Sequence, residues 1–243
     1  MRWLLYFLKC ILAVFIAMQV YFALQIFLWS FTNPSSTAFQ RAERWRLCTW
    51  HWSCPIEANW VPYQNISNNL KRAVLVSEDD IFFRHMGIRF ADMQKAWQRN
   101  QQGTNQNKTV LRGGSTITQQ LAKNLFLSSS QNYLRKGQEL IIAGLLELIL
   151  SKQRLFEIYL NSVEWGEGIF GIDAAARHYY GLSPQSLSRE QAAALASALP
   201  APKCFDKQQY CRRSQIHFPT RQEFILENMD RVFLSPPAKP NKP

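Results

Sequence analysis

Several things this chain lacks narrow it before anything it contains. It has no Cys-x-x-C pair, so neither a zinc ribbon nor a thioredoxin-like redox motif is present. No Gly-Lys-Ser/Thr is found, which removes a nucleotide-binding P-loop. No strand pattern of any length and no internal repeat appear, leaving helices to build a mainly α fold. Acid is scarce, with 17 Asp and Glu against 28 Lys and Arg and a net charge of +11. That excess suits an anionic membrane surface, a phosphorylated substrate or nucleic acid, and the dispersal of the basic residues argues against the last. Cysteine is scarce too: five residues are too few and too spread for a small disulfide scaffold. Cys48/Cys54 and Cys204/Cys211 either close small loops in an oxidising compartment or remain free thiols, because spacing does not establish bridge geometry.

Against these absences stands one long apolar run. Cys10 to Trp29 is twenty residues without a charge, broken only by Gln19 and Gln25. As a helix it crosses a hydrocarbon core of about 30 Å. Trp3, Tyr6 and Trp29 sit near its ends, as interfacial aromatics do. No small-x-small cleavage site stands out after it, so residues 1–31 read as an uncleaved anchor that confines the rest of the chain to the bilayer plane. Arg2 and Lys9 suggest a cytoplasmic N-terminus, and Arg41, Arg44 and Arg46 on the far side weaken that asymmetry.

Residues 32–63 are polar, rich in Trp and punctuated by Pro34, Pro55 and Pro62, which predicts a linker. A domain over 64–234 comes next. Ser67 caps a helix that buries Leu70, Val74 and Ser77 and ends near Glu78, with Gly87 as its stop. Asp92 to Arg99 is a short helix, and Asn100 to Arg112 a polar loop, either plain surface or a gate. Ser115 or Thr116 caps the next helix, whose core stripe is Ile117, Leu121 and Leu125; Thr116, Gln120 and Lys123 line another face. Tyr133 to Leu150 is apolar around most of its circumference, predicting a central helix. Further helices are expected over Lys152 to Leu160 and Ile172 to Tyr180. Two more are expected after capping boxes at Ser188 and Thr220. Residues 235–243 are too rich in Pro to fold.

Chemistry concentrates in Ser77-Glu78-Asp79-Asp80-Ile81-Phe82-Phe83-Arg84-His85-Met86-Gly87. A carboxylate leaving an apolar helix end beside aromatic bulk is partly desolvated, and desolvation disfavours its charged form, which suits it to proton transfer near pH 7. Taken alone, the plainer reading of these residues is a solvated acidic turn. Glycines before the helix at Ser115 leave amides free for an anion, and Lys123 adds a charge two turns on, although such a start is usually only a cap. Arg135 and Lys136 reach Glu139 at helical spacing. An exposed pair of this kind contributes only ~0.2–0.5 kcal/mol, but the apolar flanks from Leu140 to Leu146 require the polar stripe to face a cavity, partner groups or water.

Glu78-Asp79-x-x-Phe82-Phe83-x-His85-x-Gly87 resembles the first motif of the family 51 peptidoglycan glycosyltransferases. Gly113-Gly114-Ser115-Thr116-Ile117-Thr118-Gln119-Gln120-Leu121-Ala122-Lys123-Asn124 resembles the second, and Arg135-Lys136-x-x-Glu139 the third. Lys152-x-x-Leu155-Phe156-Glu157-x-Tyr159-Leu160-Asn161 and Leu187-Ser188-x-Glu190-Gln191-Ala192-Ala193 resemble the fourth and fifth. The resemblance covers roughly Gln64 to Pro202. It implies a lysozyme-like α fold with a membrane-touching lobe, preceded here by one transmembrane helix.

The resemblance also implies lipid II as substrate, formation of β-1,4-linked glycan strands and release of undecaprenyl diphosphate. Glu78 falls at the base that activates the acceptor 4-hydroxyl, and Glu139 at the second catalytic glutamate, beside the diphosphate. Lys123, Arg135 and Lys136 match the phosphate-binding cations. Asp79, Phe83, His85, Gly114, Ser115, Thr116, Gln119, Gln120 and Asn124 complete the implied substrate contacts. No cofactor is required; Mg or Mn assists some members and would act at the diphosphate, although no ligand spacing here demands a metal. Implied partners are lipid II, the lipid-linked glycan, the membrane and other cell-wall or division proteins. The implied location is the inner membrane of a bacterium, with the catalytic domain in the periplasm.

No Ser-x-x-Lys occurs, so the chain looks like the monofunctional branch without a transpeptidase. Gln131-Asn132 stands where members often carry Arg-Ser, which removes one phosphate contact. A lytic muramidase would share the fold and a lone Glu, but has no need of cations placed for a diphosphate. An anchored scaffold would leave two acids at motif positions unexplained.

Overall fold

The computed structural model describes residues 2–51, 59–89, 94, 115–128, 132–213 and 217–235. The polar loop over 100–112, all but Gln94 of the short helix expected over 92–99, and the tail after Ser235 lie outside the described residues. The main elements are α1 (Arg2–Leu28), α2 (Ala38–His51), α3 (Asn68–Glu78), α4 (Ile117–Phe126), α5 (Tyr133–Ile149) and α6 (Lys152–Ser162). A hairpin of β1 (Glu164–Gly166) and β2 (Ile169–Phe170) comes next, then α7 (Ile172–Tyr180), α8 (Arg189–Ala198), α9 (Pro202–Asp206) and α10 (Phe218–Asn228). The antiparallel hairpin departs from the loop expected after Asn161. It is too short to show an alternating pattern, and Trp165 anchors it in the core at 0% exposure.

The central helix is α8. Its Ala192, Ala193, Leu195, Ala196, Ser197 and Ala198 are all buried, and it packs between α3 and α10. Alanines on several faces let both neighbours approach closely, as a helix buried all round requires. The sequence predicts this role for α5 instead. That helix buries only Glu139, Ile142, Ala143 and Leu146, while Leu134, Ile141 and Leu148 are exposed at seven-residue spacing. An all-round apolar helix is satisfied by a core or by lipid, and α5 presents its outer stripe next to the anchor.

α1 is long and apolar enough to cross a membrane, and most of it is exposed. Its final turns are docked on the domain. Ile26 is fully buried, and Phe22 and Trp29 pack on Phe126 of α4 with ring centroids 4.9 and 5.1 Å apart. Gln19 and Gln138 of α5 exchange amide hydrogen bonds of 3.2 and 3.0 Å. Arg154 of α6 donates to the Trp29 and Thr32 carbonyls and to Asn33 Oδ1. The anchor is therefore packed against the helices that carry the site, rather than joined to them by a free linker.

Within the expected linker, Ala38–His51 is a helix. Thr37 and Gln40 bond each other's backbone amides at its start, a reciprocal cap that the prolines on either side overshadow in the sequence. Glu43 pairs with Arg46 and Lys203, and Arg46 and Lys207 pair with Glu167 of the hairpin turn. This network fixes α2 to the hairpin and α9. Trp60 packs inward and donates to Glu157, whereas Trp45 is 74% exposed. Cys204 and Cys211 form a disulfide and Cys48 is also disulfide-bonded, so bridging prevails over free thiols. α10 begins a turn before the expected box at Thr220: His217 caps it by accepting from the Thr220 amide.

Candidate active site

Glu78 is the last residue of α3, held rigid by the burial of Leu70, Ala73, Val74, Leu75, Val76 and Ser77. Its side chain is only 9% exposed. Ser77 Oγ donates to Oε1 at 2.9 Å and Gln120 Nε2 donates to Oε2 at 2.8 Å, so each oxygen has a neutral donor. Tyr159 Oη donates to Gln120 Oε1 at 3.1 Å, which fixes the orientation of the Gln120 amide. Burial, then the charges of Glu78 and Asp79, holds the Tyr159 phenol well above its ordinary range, so it remains a donor. Arg221 of α10 lies 3.8 Å from Glu78 Oε1 and donates to Ser77 Oγ at 2.9 Å.

Asp79 turns the opposite way. It is buried, receives His85 Nε2 at 2.9 Å and accepts from the Ile117 amide at 3.2 Å. A carboxylate on the first-turn amide of α4 complements that helix's positive end. Asp79 thus ties the acidic turn to α4. Gly87 completes the tie: its carbonyl accepts from Thr116 Oγ1, its φ is +75°, and an added Cβ would meet Glu147 Cγ at 2.6 Å. Gly87 closes this turn and does not stop α3, whose C-cap is Asp79. Glu147 accepts from Thr118 and pairs with Lys152 at 2.7 Å. Thr116 and Gln119 form a reciprocal capping box at the α4 start.

The cations come from α4 and α5. On α5, Arg135 meets Glu139 Oε2 at 2.8 Å, Lys136 meets Oε1, and Lys136 Nζ lies 3.4 Å from Ser115 Oγ. Asn132 caps α5, so this half of the Gln131-Asn132 departure has a structural use. Lys123 of α4 lies under the Phe39 ring of α2, its Nζ 5.3 Å from the centroid. Burial pushes the Lys123 ammonium below its ordinary range; Glu139 opposes that, Arg135 and Lys136 reinforce it, and Glu78 opposes it. Both acids and all three cations therefore share one electrostatic neighbourhood.

The structure brings together Glu78, Gln120, Lys123, Arg135, Lys136, Glu139 and Ser115. Phe83 packs with Phe82 and Phe156 in the core, and Gln119 is fully buried in its capping box. Asn124 is buried on α4, and Gly114 lies outside the described residues. Sequence reasoning missed Phe39, Ser77, Tyr159 and Arg221 as neighbours of the site. Two of them carried a signal: Ser77 opens the acidic stretch, and Tyr159 stands in the fourth motif of the resemblance. Among the described residues no group of three or more His, Cys, Asp or Glu side chains gathers as a metal-binding set. A separate pocket of about 360 Å³, lined by Asn59, Ile169, Asp173 and Arg177 among others, shares no residue with this site.

Comparison with known proteins agrees with this geometry. A transglycosylase family model matches residues 51–230. The biosynthetic peptidoglycan transglycosylase of Cupriavidus metallidurans is 59% identical over 235 residues, covering 96% of this chain and 99% of its own. The protein of the same name from Cupriavidus pinatubonensis is 57% identical, covering 96% and 92%. That from Ralstonia nicotianae is 52% identical, covering 94% and 96%. A helical domain with paired acids beside a cation cluster, behind an apolar anchor, is thus an enzyme with the lysozyme-like glycosyltransferase fold. The chain belongs to the transglycosylase family, among the monofunctional peptidoglycan glycosyltransferases.

Proposed function

We propose that this enzyme polymerises lipid II into β-1,4-linked glycan strands at the periplasmic face of a bacterial inner membrane, releasing undecaprenyl diphosphate. Glu78 takes the proton from the acceptor 4-hydroxyl. That oxygen attacks the anomeric carbon of the lipid-linked donor, and the bond from that carbon to the diphosphate oxygen breaks. Lys123, Arg135 and Lys136 hold the charge that develops on the departing diphosphate.

The observation that carries this reading is the contrast between the two acids. Glu139 is in direct contact with two cations, which fix it and are fixed by it. Glu78 is held by neutral donors, and among the described residues its nearest cation, Arg221, is 3.8 Å away. Ion pairing on both oxygens commits Glu139 to its cations, whereas Glu78, oriented by neutral donors, is the acid left to meet the acceptor hydroxyl. Glu139 then acts through its two cations at the diphosphate. A divalent cation, if it assists, would bind the substrate's own diphosphate, because the one carboxylate beside the cluster already has its partners.

The test is incubation of the purified full-length protein with lipid II, with strands analysed before and after muramidase digestion. Glu78→Gln keeps volume and loses the base, so strand synthesis should fall on the order of 10²–10⁴-fold with the fold intact. Polymerisation within tenfold of wild type would refute the base assignment. A lytic enzyme would instead shorten preformed strands and make none.

A further inference from the structure

We infer that Ser77 is a positioning residue whose hydroxyl serves Glu78 in both of its protonation states, and that Arg221 holds that hydroxyl in place. The inference rests on the reading of Glu78 as the base. Ser77 Oγ has one hydrogen and two acceptors at the same distance: Glu78 Oε1 at 2.9 Å and the Ala196 carbonyl of α8 at 2.9 Å. It also accepts from Arg221 at 2.9 Å. A hydroxyl has one donor and two lone pairs, so both arrangements are complete.

With Glu78 ionised, Ser77 donates to Oε1 and accepts from Arg221. Once Glu78 has taken the acceptor's proton on Oε1, it becomes a donor there. Ser77 then accepts from it on the second lone pair and turns its own hydrogen to the Ala196 carbonyl. Only two hydrogens turn, that of Ser77 and the transferred proton on Oε1, and no covalent bond changes beyond the proton transfer itself. Each participant sits on a rigid element. Ser77 is 5% exposed in the last turn of α3, Ala196 lies in the central helix, and Arg221 is 7% exposed in the first turn of α10. A base that changes charge in a buried site otherwise loses a hydrogen bond in one of its two states, and an unmet buried polar group is costly.

Among the described residues, the other polar and charged groups facing Glu78 are Gln120 and Lys123 from α4, Tyr159 from α6, the adjacent Asp79, and Arg221. Substituting Ser77 leaves the contacts of Gln120, Lys123, Tyr159 and Asp79 in place, while Arg221 loses its bond to the hydroxyl. Ser77→Ala removes a donor to the anion, so the ionised base is less favoured. The acid limb of the rate–pH profile at saturating lipid II should move up by about one pH unit, the equivalent of one charge-assisted hydrogen bond. Ser77→Cys keeps the shape with a weak donor and should move the limb the same way by less. Ser77→Thr keeps the hydroxyl and should restore the wild-type profile.

A merely structural serine would lower the active fraction equally at every pH and leave the limb where it is. Thermal melts of each full-length variant in detergent separate folding losses from the profile. An unmoved limb in both Ser77→Ala and Ser77→Cys would overturn the inference, even if rates fell. Glu78→Gln is run alongside: if it retains activity the base reading fails, and if it is inactive while the limb stays put only the Ser77 inference fails.

Discussion

Glu164 offers a prediction that joins fold to site. It lies in β1, and burial pushes its carboxyl from an ordinary 4.5 up to about 7. Lys203 pulls the other way from 3.4 Å, but that ammonium is closer to Glu43, at 2.8 Å, and Glu164 Oε1 has no hydrogen-bond partner. Burial wins. An acid whose folded value is raised binds its proton more tightly when folded, so stability is greatest below 4.5 and falls as pH rises through about 7. The difference, 7 − 4.5, corresponds to about 3 kcal/mol lost by pH 8. About 2.5 kcal/mol of it falls between pH 5 and pH 8, which for a chain of this size is a fall in apparent Tm of roughly 5–10 °C over that range.

Glu43 and Glu167 are held below their ordinary values, so their contributions vanish only in stronger acid, outside this window. The assay is a set of thermal melts in detergent from pH 5 to 8 on wild type and Glu164→Gln, with the difference between the two slopes assigned to Glu164. The network around Glu164 fixes α2, and α2 carries Phe39 over Lys123. Activity should therefore decline on the same alkaline side before the domain melts. Equal slopes in the two proteins would refute the reasoning.

Lys136→Ala and Glu139→Gln should be non-additive by about 0.5–3 kcal/mol, because Lys136 bonds Glu139 directly; rates of both single variants and the double measure it, and strict additivity would sink the coupling. A protein starting at Thr32 should lose most activity on liposomes, where the anchor raises effective concentration, and recover part of it on anionic lipid at low salt. It should also melt lower in detergent, since Phe126, Gln138 and Arg154 lose their partners on residues 1–31. An unchanged melt would show that the docking contributes nothing to stability.

The parts of this molecule legible from sequence are those fixed by local rules. Ser67, Ser151 and Ser188 cap their helices as such residues do, and Gly181 ends α7 with φ +65°. Glu78 at a helix end and Glu139 one turn after Arg135 follow from helical spacing alone. The misassigned parts depend on what lies outside the helix in question. Periodicity shows that α5 is apolar all round but not whether its outer stripe meets protein or lipid. The short hairpin has too few residues to carry a pattern. Arg221 reads as a surface residue of a capping box because the cap that replaces it, His217, is unusual, and because its partner Ser77 is 144 residues away. Phe39 is hidden for the same reason: long-range packing of α2 on α4, with its ion pairs to the hairpin turn and Lys203, brings it to Lys123.

The charge arrangement also bears on how the proposed reaction is accelerated. Lys123 is buried beside two like charges, Arg135 and Lys136, and one acid on that side, Glu139, is shared between those two. Counting charges among the described residues, three cations against Glu139 and Glu78 leave an excess of +1, and the Lys123 ammonium is held below its ordinary range by burial first, with Arg135 and Lys136 reinforcing it. A cluster of this kind is destabilised until an anion enters it. A diphosphate leaving group gains negative charge as its bond to the sugar breaks, so relief of the repulsion is larger at the transition state than with intact substrate bound. Interactions that strengthen as the reaction proceeds raise turnover, whereas interactions equal in both states only tighten binding. Phe39 keeps Lys123 in the cluster without neutralising it, since an aromatic face attracts an ammonium yet carries no charge. A carboxylate in its place would quench the excess and weaken the discrimination. Phe39→Glu should therefore lower kcat more than it changes KM, whereas Phe39→Leu should cost far less in either.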